Sequence, residues 1–335
     1  MKTSTKIYAT GSFLGAHEIS TESLLEEAGF EKIGLPLNLI EKELGITHVR
    51  HSPDSVKPGD LAIAAGEVAL KRSGLAASEI DAVIFCGIDR DYSEPATAHR
   101  IAHELGINAL HCWDQSDACH GFTTGIITAN LLIASGQVRH ALVCTGERSS
   151  SKARYISDLY KDKTLGASDV QHTLGVFSLG DAGGAMVLGP TDNGTGIQLV
   201  NSRTNSSHSR LCYYDVFGAE RGIKPSFGME MTEICSKTIR LVKRMVPRTM
   251  KSLGWEYSDI DHLIQHQVGY KPYQVVLNMF QTPAEKSPAT YAKLGNLASA
   301  SIPVCFEYCD IKPGDRAIIN STGSGIVATH LGLVF

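Results

Sequence analysis

Apolar positions recur along the chain with a helical spacing in some segments and as short continuous runs in others. Residues 61–73, LAIAAGEVALKRS, carry apolar side chains at helical spacing and end at Gly74, which predicts a helix. The run IDAVIFCG at 80–87 is typical of a buried strand. The alternation continues with a predicted helix over 95–105 and predicted strands over 109–113 and 141–144. This order of elements predicts an α/β fold.

The longest stretch without charged side chains, residues 121–138, has almost the length of a membrane span. It reads GFTTGIITANLLIASGQV and contains threonine, asparagine, serine and glutamine among its apolar residues. These polar side chains favour a buried core helix over a lipid-facing one. We therefore expect no membrane association.

Composition excludes several classes of protein. The chain has 335 residues, of which 43% are apolar and 20% charged, so it can bury a large core and disorder is not expected. At roughly 150 residues per domain, the length suggests two domains or one large duplicated unit. The 31 basic and 35 acidic side chains give a net charge of −4, which provides no electrostatic footprint for nucleic acid or an anionic membrane.

An internal repeat favours a duplicated unit. GLAASEIDAVIFCGI from Gly74 and GWEYSDIDHLIQHQV from Gly254 share one frame, and GQVRHALVCTGE from Gly136 pairs with PGDRAIINSTGSG from Pro313 at a similar separation. The turn-rich segment 189–209 predicts the seam, which divides the chain into halves 1–190 and 191–335. The polar segment at about 147–172 is interpreted as a surface insertion or cap outside the core.

Cys119 is the candidate nucleophile among eight cysteines. It opens the uncharged helix in the context SDACHGFTTG, and a helix N-terminus is expected to stabilise a thiolate and lower its pKa. Eight cysteines are too few for a disulfide scaffold, and Lys6 interrupts the start before a secretory segment can develop, so a reducing cytoplasm is expected. The neighbouring His120 is interpreted as a space-filling residue. Four further cysteines are interpreted as small core residues: Cys86, Cys144, Cys212 and Cys235.

Two residues of the second half complete a candidate site. His266 directly follows the second copy of the repeated strand, in HLIQHQVGYKPY. Asn296, in KLGNLASASIP, falls 177 residues after Cys119, close to the repeat separation. If the halves pack about a pseudo-twofold axis, Cys119 and Asn296 are symmetry-related helix starts that face one another, with His266 beside them.

These motifs resemble beta-ketoacyl-acyl-carrier-protein synthase III and its relatives in the thiolase superfamily. DACHGFTTG, LIQHQVGY and LGNLASASIP occur in the family's order and near its spacing, with the glycine-rich GDAGGAMVLG before the seam and NSTGSGIVATHLGLVF at the end. The resemblance covers nearly the whole chain. It implies the thiolase fold, a duplicated five-layered αβαβα architecture.

The resemblance also implies the roles of the site residues. Cys119 would attack an acyl thioester and hold the acyl group, while His266 and Asn296 would donate hydrogen bonds to the carbonyl of the second substrate and stabilise its enolate. Backbone N–H groups of Cys119 and of the loop Gly323–Ser324–Gly325 would form the oxyanion hole. Substrates would arrive as phosphopantetheine thioesters, with no bound cofactor and no metal.

Departures from the family point to a specialised relative. Leu39 and Glu43 stand where the fatty-acid enzymes have the tryptophan and arginine that clamp coenzyme A, which favours an acyl carrier protein as donor over coenzyme A. Gly269 replaces an asparagine, and Lys271 is a candidate contact for the pantetheine phosphate or an acidic carrier helix, or an ordinary surface lysine. Glu94 occupies a position usually bulky and apolar in a segment contributed across the dimer.

The resulting hypothesis is a cytoplasmic, homodimeric condensing enzyme. It would join the acyl group on Cys119 to a carrier-linked thioester by Claisen-type C–C bond formation in polyketide, fatty-acid or another specialised metabolism. One alternative is acyl transfer to an oxygen or nitrogen nucleophile, with His266 as general base. Another is a catalytically silent partner subunit of a heterodimeric synthase.

Overall fold

The computed structural model describes residues 4–215 and 226–335, and its elements alternate between strands and helices. The strands are β1 (Ser4–Leu14), β2 (His17–Ser20), β3 (His48–His51), β4 (Ala82–Phe85), β5 (His111–Asp114), β6 (Ala141–Glu147), β7 (Ala182–Thr191), β8 (Gly196–His208), β9 (Cys212–Asp215), β10 (Ser226–Met229), β11 (His262–Gln265), β12 (Arg316–Gly323) and β13 (Gly325–Val334). The helices are α1 (Thr21–Glu27), α2 (Leu39–Leu44), α3 (Pro58–Ser73), α4 (Thr97–Glu104), α5 (Gly121–Ala134), α6 (Ser150–Lys161), α7 (Val170–Thr173), α8 (Met231–Leu253), α9 (Tyr270–Met279), α10 (Tyr291–Leu294) and α11 (Ser301–Phe306).

Two mixed sheets repeat one strand pattern. The first sheet has the order β1-β7-β6-β4-β5, in which β4 runs parallel to β6 while β7 runs antiparallel to both β6 and β1. The second has the order β11-β12-β13-β8, in which β11 runs parallel to β12 while β13 runs antiparallel to both β12 and β8. The second sheet thus reproduces four strands of the first, in the same order and directions.

The two sheets enclose a shared helical layer. Alternate residues of β4 point to opposite faces, so Ile84 packs with α5 and α11 between the sheets while Val83 packs with α3 and α4 outside. In the second sheet Ile264 faces the same central layer, and Leu263 packs with α8 and α9. The resulting five layers of helix, sheet, helix, sheet and helix confirm the predicted αβαβα architecture.

The uncharged stretch forms a core helix, as predicted. Helix α5 buries Phe122, Ile126, Ala129 and Ile133 between the two sheets. Within residues 4–215 and 226–335, no helix combines the length and apolar character that crossing a membrane requires.

The predicted seam is more ordered than its composition suggested. Strand β7 continues to Thr191 and β8 begins at Gly196, so turn structure is confined to a few residues and most of 189–209 is strand. The polar residues that suggested a loop lie on β8, an edge strand whose outer positions face solvent, where polarity costs nothing. The division into halves 1–190 and 191–335 stays a prediction.

The interpretation of 147–172 as a surface cap outside the core was wrong. Helix α6 buries Ala153, Ile156 and Tyr160 in the same core as α8 and α9. The buried Asp181 carboxylate accepts hydrogen bonds from the backbone N–H of Ser150, at 2.8 Å, and from its hydroxyl, at 2.7 Å. The segment looked polar because only one face of α6 is apolar, a pattern that its serines and charges obscure.

Because α6 belongs to the core, Ile156→Ala should lower the free energy of unfolding by about 2–4 kcal/mol through lost burial and a residual cavity. Ile156 is 4% exposed. Leu131→Ala serves as control, since Leu131 is 63% exposed and its truncation should change stability by less than about 0.5 kcal/mol. Chemical denaturation measures both values, and equal effects would mean that α6 does not contribute to the core.

Candidate active site

One cavity brings Cys119, His266 and Asn296 together. It measures about 100 Å³ and lies between the central helical layer, the second sheet and α8. Gly323 and Ser324 of the predicted glycine loop line it as well, whereas Gly325, the third residue of that loop, does not. Residues far apart in the sequence, from the central helical layer, the second sheet and α8, therefore meet at one point.

Cys119 lies in a short 3₁₀ turn, Ala118–His120, that leads into α5. Ala118 adopts a left-handed backbone conformation, with φ 49°, which alanine rarely does. The second half repeats this feature in the 3₁₀ turn Ala298–Ala300, where Ala298 has φ 48°. Because Ala298 follows Ala118 by 180 residues, the counterpart of Cys119 is Ser299, so the expected equivalence of Cys119 and Asn296 was displaced by three residues.

The Cys119 thiol does not have the lowered pKa expected from its helix position. Burial is the largest influence and raises the pKa of Cys119, and the nearby Cys212 and Glu147 raise it further. Its own backbone N–H and the Lys152 ammonium lower the pKa, but by less than burial raises it. Desolvation thus outweighs the favourable backbone hydrogen bond and the Lys152 charge, and the resting nucleophile is a protonated thiol.

His266 is a neutral imidazole that directly follows β11. Its backbone N–H donates to the carbonyl of Asn320 at 3.0 Å, and its Nδ1 lies 3.1 Å from Oγ of Ser301. Burial and, secondarily, the nearby His120 lower the pKa of His266 to about 4. No hydrogen bond from the described residues reaches Nε2, so this atom is available to a substrate.

Asn296 has its backbone N–H and its side-chain oxygen hydrogen-bonded, whereas its side-chain nitrogen has no partner among the described residues. Its backbone N–H donates to the Ser178 carbonyl at 2.8 Å, and its Oδ1 accepts the Ala298 N–H at 2.9 Å. Gly295 precedes it with φ 75°, and a Cβ there would approach the Ser178 oxygen to 2.5 Å, which explains the glycine. In the described chain the side-chain NH₂ has no protein acceptor, so it can donate into the cavity.

His120 has more partners than its space-filling interpretation allowed. Its Nδ1 lies 2.9 Å from the Asp117 carboxylate and 2.7 Å from the Thr124 hydroxyl, and its Nε2 lies 2.8 Å from the Thr329 hydroxyl. A Cβ on Gly323 would approach the Cβ of His120 to 2.9 Å. The imidazole therefore fastens the turn that carries Cys119 against the glycine loop.

Two cysteines taken for core residues line the catalytic cavity. Cys212 and Cys235 face the same space as Cys119, and the Ser324 hydroxyl hydrogen-bonds to Cys212. Cys86 and Cys144 are buried between the layers, as predicted. Cys86 and Cys144 lie in apolar runs, whereas Cys235, in MTEICSKT, has polar and charged neighbours, which was a signal that it is not an ordinary core residue.

Glu147 is the residue near the site that sequence reasoning missed. It ends β6 with its side chain fully buried, where its Oε1 accepts the Ser299 hydroxyl and the Ile88 backbone N–H, the latter at 3.2 Å. Oε2 has no hydrogen-bond partner among the described residues. Burial, and then the charge of Asp89, raise the pKa of Glu147 to about 7. Since Ser299 follows Asn296 closely, Glu147 connects the first sheet to the loop that carries Asn296.

The mouth of the site is a second, larger cavity of about 430 Å³ adjacent to the first. Lys271 lines it, but its ammonium lies 3.8 Å from the Glu43 carboxylate, which offsets its charge. Gly269 has φ 142°, and a Cβ there would approach the Leu44 carbonyl to 2.8 Å. Leu39, which stands where the fatty-acid enzymes have a tryptophan, packs against the core. It therefore provides no ring to stack on the nucleotide end of coenzyme A. Glu94 is exposed and lines neither cavity, so its role across a dimer stays a prediction.

Duplicated sheets around a common helical layer, with a cysteine on a central helix facing a histidine and an asparagine, define a condensing enzyme of the thiolase fold. Residues 113–207 match the family model of 3-oxoacyl-[acyl-carrier-protein] synthase III, and residues 250–333 match the model of that enzyme's C-terminal part. Together the two matches span just over half of the chain. The chain belongs to this family and is an acyltransferase of the synthase III type.

Similar proteins match most of the length of the chain. An acyl-CoA:acyl-CoA alkyltransferase of Shewanella oneidensis is 29% identical, over 91% of this chain and 90% of its own. A beta-ketoacyl-[acyl-carrier-protein] synthase III of Streptomyces coelicolor is 29% identical, over 86% and 85%. The crystal structure of a Xanthomonas campestris OleA variant with lauric acid and lauroyl-CoA superposes over the full length of both chains with a TM-score of 0.91 at 20% identity, which establishes the fold.

Proposed function

We propose that Cys119 takes an acyl group from a phosphopantetheine thioester and that the acyl-enzyme condenses with a second, carrier-linked thioester. The pathway would be polyketide, fatty-acid or another specialised metabolism. The observation that carries this proposal is the NH₂ group of Asn296, which has no acceptor among the described residues and lines the same cavity as Cys119 and His266, whose Nε2 likewise has no partner there. Two neutral donors beside a nucleophile suit an enolate oxygen, where negative charge develops.

The first step transfers the acyl group to sulfur. Because the resting thiol is protonated, its proton must leave as the sulfur attacks, and Nε2 of His266 is an acceptor in the same cavity. The imidazolium then gives this proton to the sulfur of the departing pantetheine thiolate, which leaves as the free thiol. Backbone N–H groups of Cys119 and Ser324 would stabilise the tetrahedral oxyanion. Either His266 tautomer is compatible with Ser301, whose hydroxyl can accept from Nδ1–H or donate to bare Nδ1.

The second step forms the carbon–carbon bond. Loss of CO₂ from the second thioester, or transfer of its α-proton to the bare Nε2 of His266, gives an enolate. Its oxygen would accept hydrogen bonds from Asn296 NH₂ and from His266 when Nε2 carries a proton. The enolate carbon attacks the acyl carbonyl, and the Cys119 thiolate leaves with the bonding electron pair and takes up a proton, from His266 or from solvent, to restore the resting thiol. Acyl transfer to oxygen or nitrogen forms no enolate and gives Asn296 no comparable task.

A panel of acyl donors tests the proposal. Wild-type protein is incubated with acyl carrier protein and coenzyme A thioesters of increasing chain length, and its intact mass is measured. We expect an acyl adduct on the peptide containing Cys119 and none in Cys119→Ala. The relatives named for acyl-CoA substrates make the coenzyme A arm an informative comparison with the carrier arm. Absence of an adduct with every donor would reject the acyl-enzyme.

A further inference from the structure

Three thiols share the catalytic cavity, although the condensation proposed above uses only one of them. Cys119, Cys212 and Cys235 all line this space, and each is a free thiol in the structure. The other cysteines of the described chain do not line it. Two further nucleophilic side chains therefore lie in the cavity with the catalytic one and have no task in acylation or condensation.

Strand β9 directs Cys212 into the cavity. Successive side chains of a strand point to opposite faces, and Tyr213, the next residue, points outward and is 46% exposed. Tyr214 shares the face of Cys212, and its ring centroid lies 5.6 Å from the Lys152 ammonium. Across the β9–β10 hairpin, Cys212 pairs with Met229, which lines the cavity as well. The register of the hairpin thus holds the Cys212 thiol on the side of the nucleophile.

Cys212 lies nearer to Cys119 than Cys235 does. Cys235 also lines the larger cavity at the mouth, whereas Cys119 and Cys212 line the inner one alone. After burial, the charge of Cys212 is the largest influence that raises the pKa of Cys119, while burial alone raises the pKa of Cys235. The repulsion affects the pKa of Cys119 and not that of Cys212, because the group that ionises second meets the charge of the first. Cys119 and Cys212 therefore form the closer pair.

The cavity can admit a small oxidant and a proton acceptor is present beside the nucleophile. Its volume of about 100 Å³ is several times the roughly 15 Å³ that a water-sized molecule needs. Both thiols are protonated at rest because burial raises their pKa values, and a thiol reacts with oxidants as its thiolate. Nε2 of His266 has no partner among the described residues, so it can accept the Cys119 proton in this reaction as in the proposed acylation.

We propose that Cys119 and Cys212 form a reversible disulfide within one chain when hydrogen peroxide enters the catalytic cavity. The Cys119 sulfur attacks one peroxide oxygen, the O–O bond breaks, and the departing hydroxide takes the thiol proton and leaves as water. The product is a sulfenic acid on Cys119. The Cys212 sulfur then attacks the Cys119 sulfur, the S–O bond breaks, and the hydroxyl leaves with the Cys212 proton as a second water. One peroxide thus oxidises two thiols by two electrons, and a dithiol reductant restores both.

The disulfide gives Cys212 the role of a resolving thiol. It stops the oxidation of Cys119 at a reversible stage, before the sulfinic acid that a dithiol cannot reduce. It also withdraws the nucleophile from acyl donors and ties the β9–β10 hairpin to the turn that carries Cys119. The pairing does not depend on which acyl donor the enzyme uses or on the reaction that follows acylation.

Peptide mapping after oxidation tests the pairing. Reduced wild-type protein is treated with excess hydrogen peroxide, its remaining thiols are blocked with N-ethylmaleimide, and the digest is analysed by mass spectrometry. We expect two peptides joined through Cys119 and Cys212. Dithiothreitol should then restore the reaction of Cys119 with iodoacetamide, which is measured for each protein relative to its own untreated form.

Variants of the two additional cysteines separate the resolving thiol from its neighbour. In Cys212→Ser and Cys212→Ala we expect the recovery of reactive Cys119 to fall about tenfold, because its sulfenic acid passes on to sulfinic acid. Cys235→Ser is the matched control, with the same substitution in the same cavity, and it should form the disulfide and recover as wild type does. Circular dichroism shows whether each variant is folded, and the wild-type peptide map needs no variant.

The outcomes are distinct from those of the acylation test. A disulfide from Cys119 to Cys235 or to a second chain overturns the proposal. Wild-type Cys119 that stays reduced, or that passes to sulfinic acid without a disulfide, also overturns it, as does full recovery in the Cys212 variants. If the Cys119–Cys212 disulfide forms while no donor acylates Cys119, the redox pairing is supported and the proposed function is rejected.

Discussion

Replacement of Asn296 by alanine should slow product formation by about 10²–10³-fold while Cys119 still accepts the acyl group. The Asn296 NH₂ group has no acceptor among residues 4–215 and 226–335, and only the condensation step generates an enolate oxygen for it to stabilise. Acylation uses the thiol, an acceptor for its proton and backbone N–H groups, none of which belongs to the Asn296 side chain. The loss should therefore appear in the condensation step alone.

Rapid-quench mass spectrometry separates the two steps by following acyl-Cys119 and product in the same reaction. His266→Ala is the comparison, and it should slow both steps because His266 Nε2 serves each. If Asn296→Ala forms product at the wild-type rate while His266→Ala abolishes it, acyl transfer to an oxygen or nitrogen nucleophile replaces condensation as the reaction. Circular dichroism confirms that the variants are folded.

Glu147→Gln should make stability less sensitive to alkaline pH. The folded pKa of Glu147 is about 7 against an ordinary value of 4.5, so the folded state binds this proton more tightly than the unfolded state. That contribution favours the folded state at low pH and is lost as the pH rises from about 4.5 through 7. Ionised Glu147 should therefore cost roughly 3 kcal/mol at pH 8 relative to pH 4, and the glutamine variant should lack this cost.

Denaturation of the wild-type protein and of Glu147→Gln at pH 4 and pH 8 measures this change in the free energy of unfolding. If the substitution changes that free energy equally at both pH values, Glu147 does not titrate in this range. Glu147→Ala supplies the structural comparison. Glutamine retains an oxygen for Ser299 and Ile88, whereas alanine leaves the partly buried Ile88 N–H without this acceptor and leaves Thr145 as the remaining partner of the Ser299 hydroxyl, at a cost of about 1–3 kcal/mol. We expect only the alanine variant to impair condensation, through the loop that carries Asn296.

Cys119 shows how a local pattern can identify a residue and misjudge its state. The glycine-flanked helix start singled out Cys119 as the candidate nucleophile, and in the structure this residue lines the cavity. The same reasoning predicted a lowered pKa, because a helix dipole can be inferred from sequence. Burial in the folded protein cannot be inferred in that way, and it is the largest influence on the pKa of Cys119, which it raises.

The sequence by itself determined the alternating elements, the duplicated α/β architecture and the meeting of Cys119, His266 and Asn296. Each of these three features depends on the local spacing of residues or on motifs that recur along the chain, and both can be identified in a single sequence. Tertiary structure alone decided that α6 belongs to the core, that Ser299 is the counterpart of Cys119, and that Glu147 connects the halves. These features depend on contacts between residues distant in sequence and on the solvent those contacts exclude, and no local pattern encodes either.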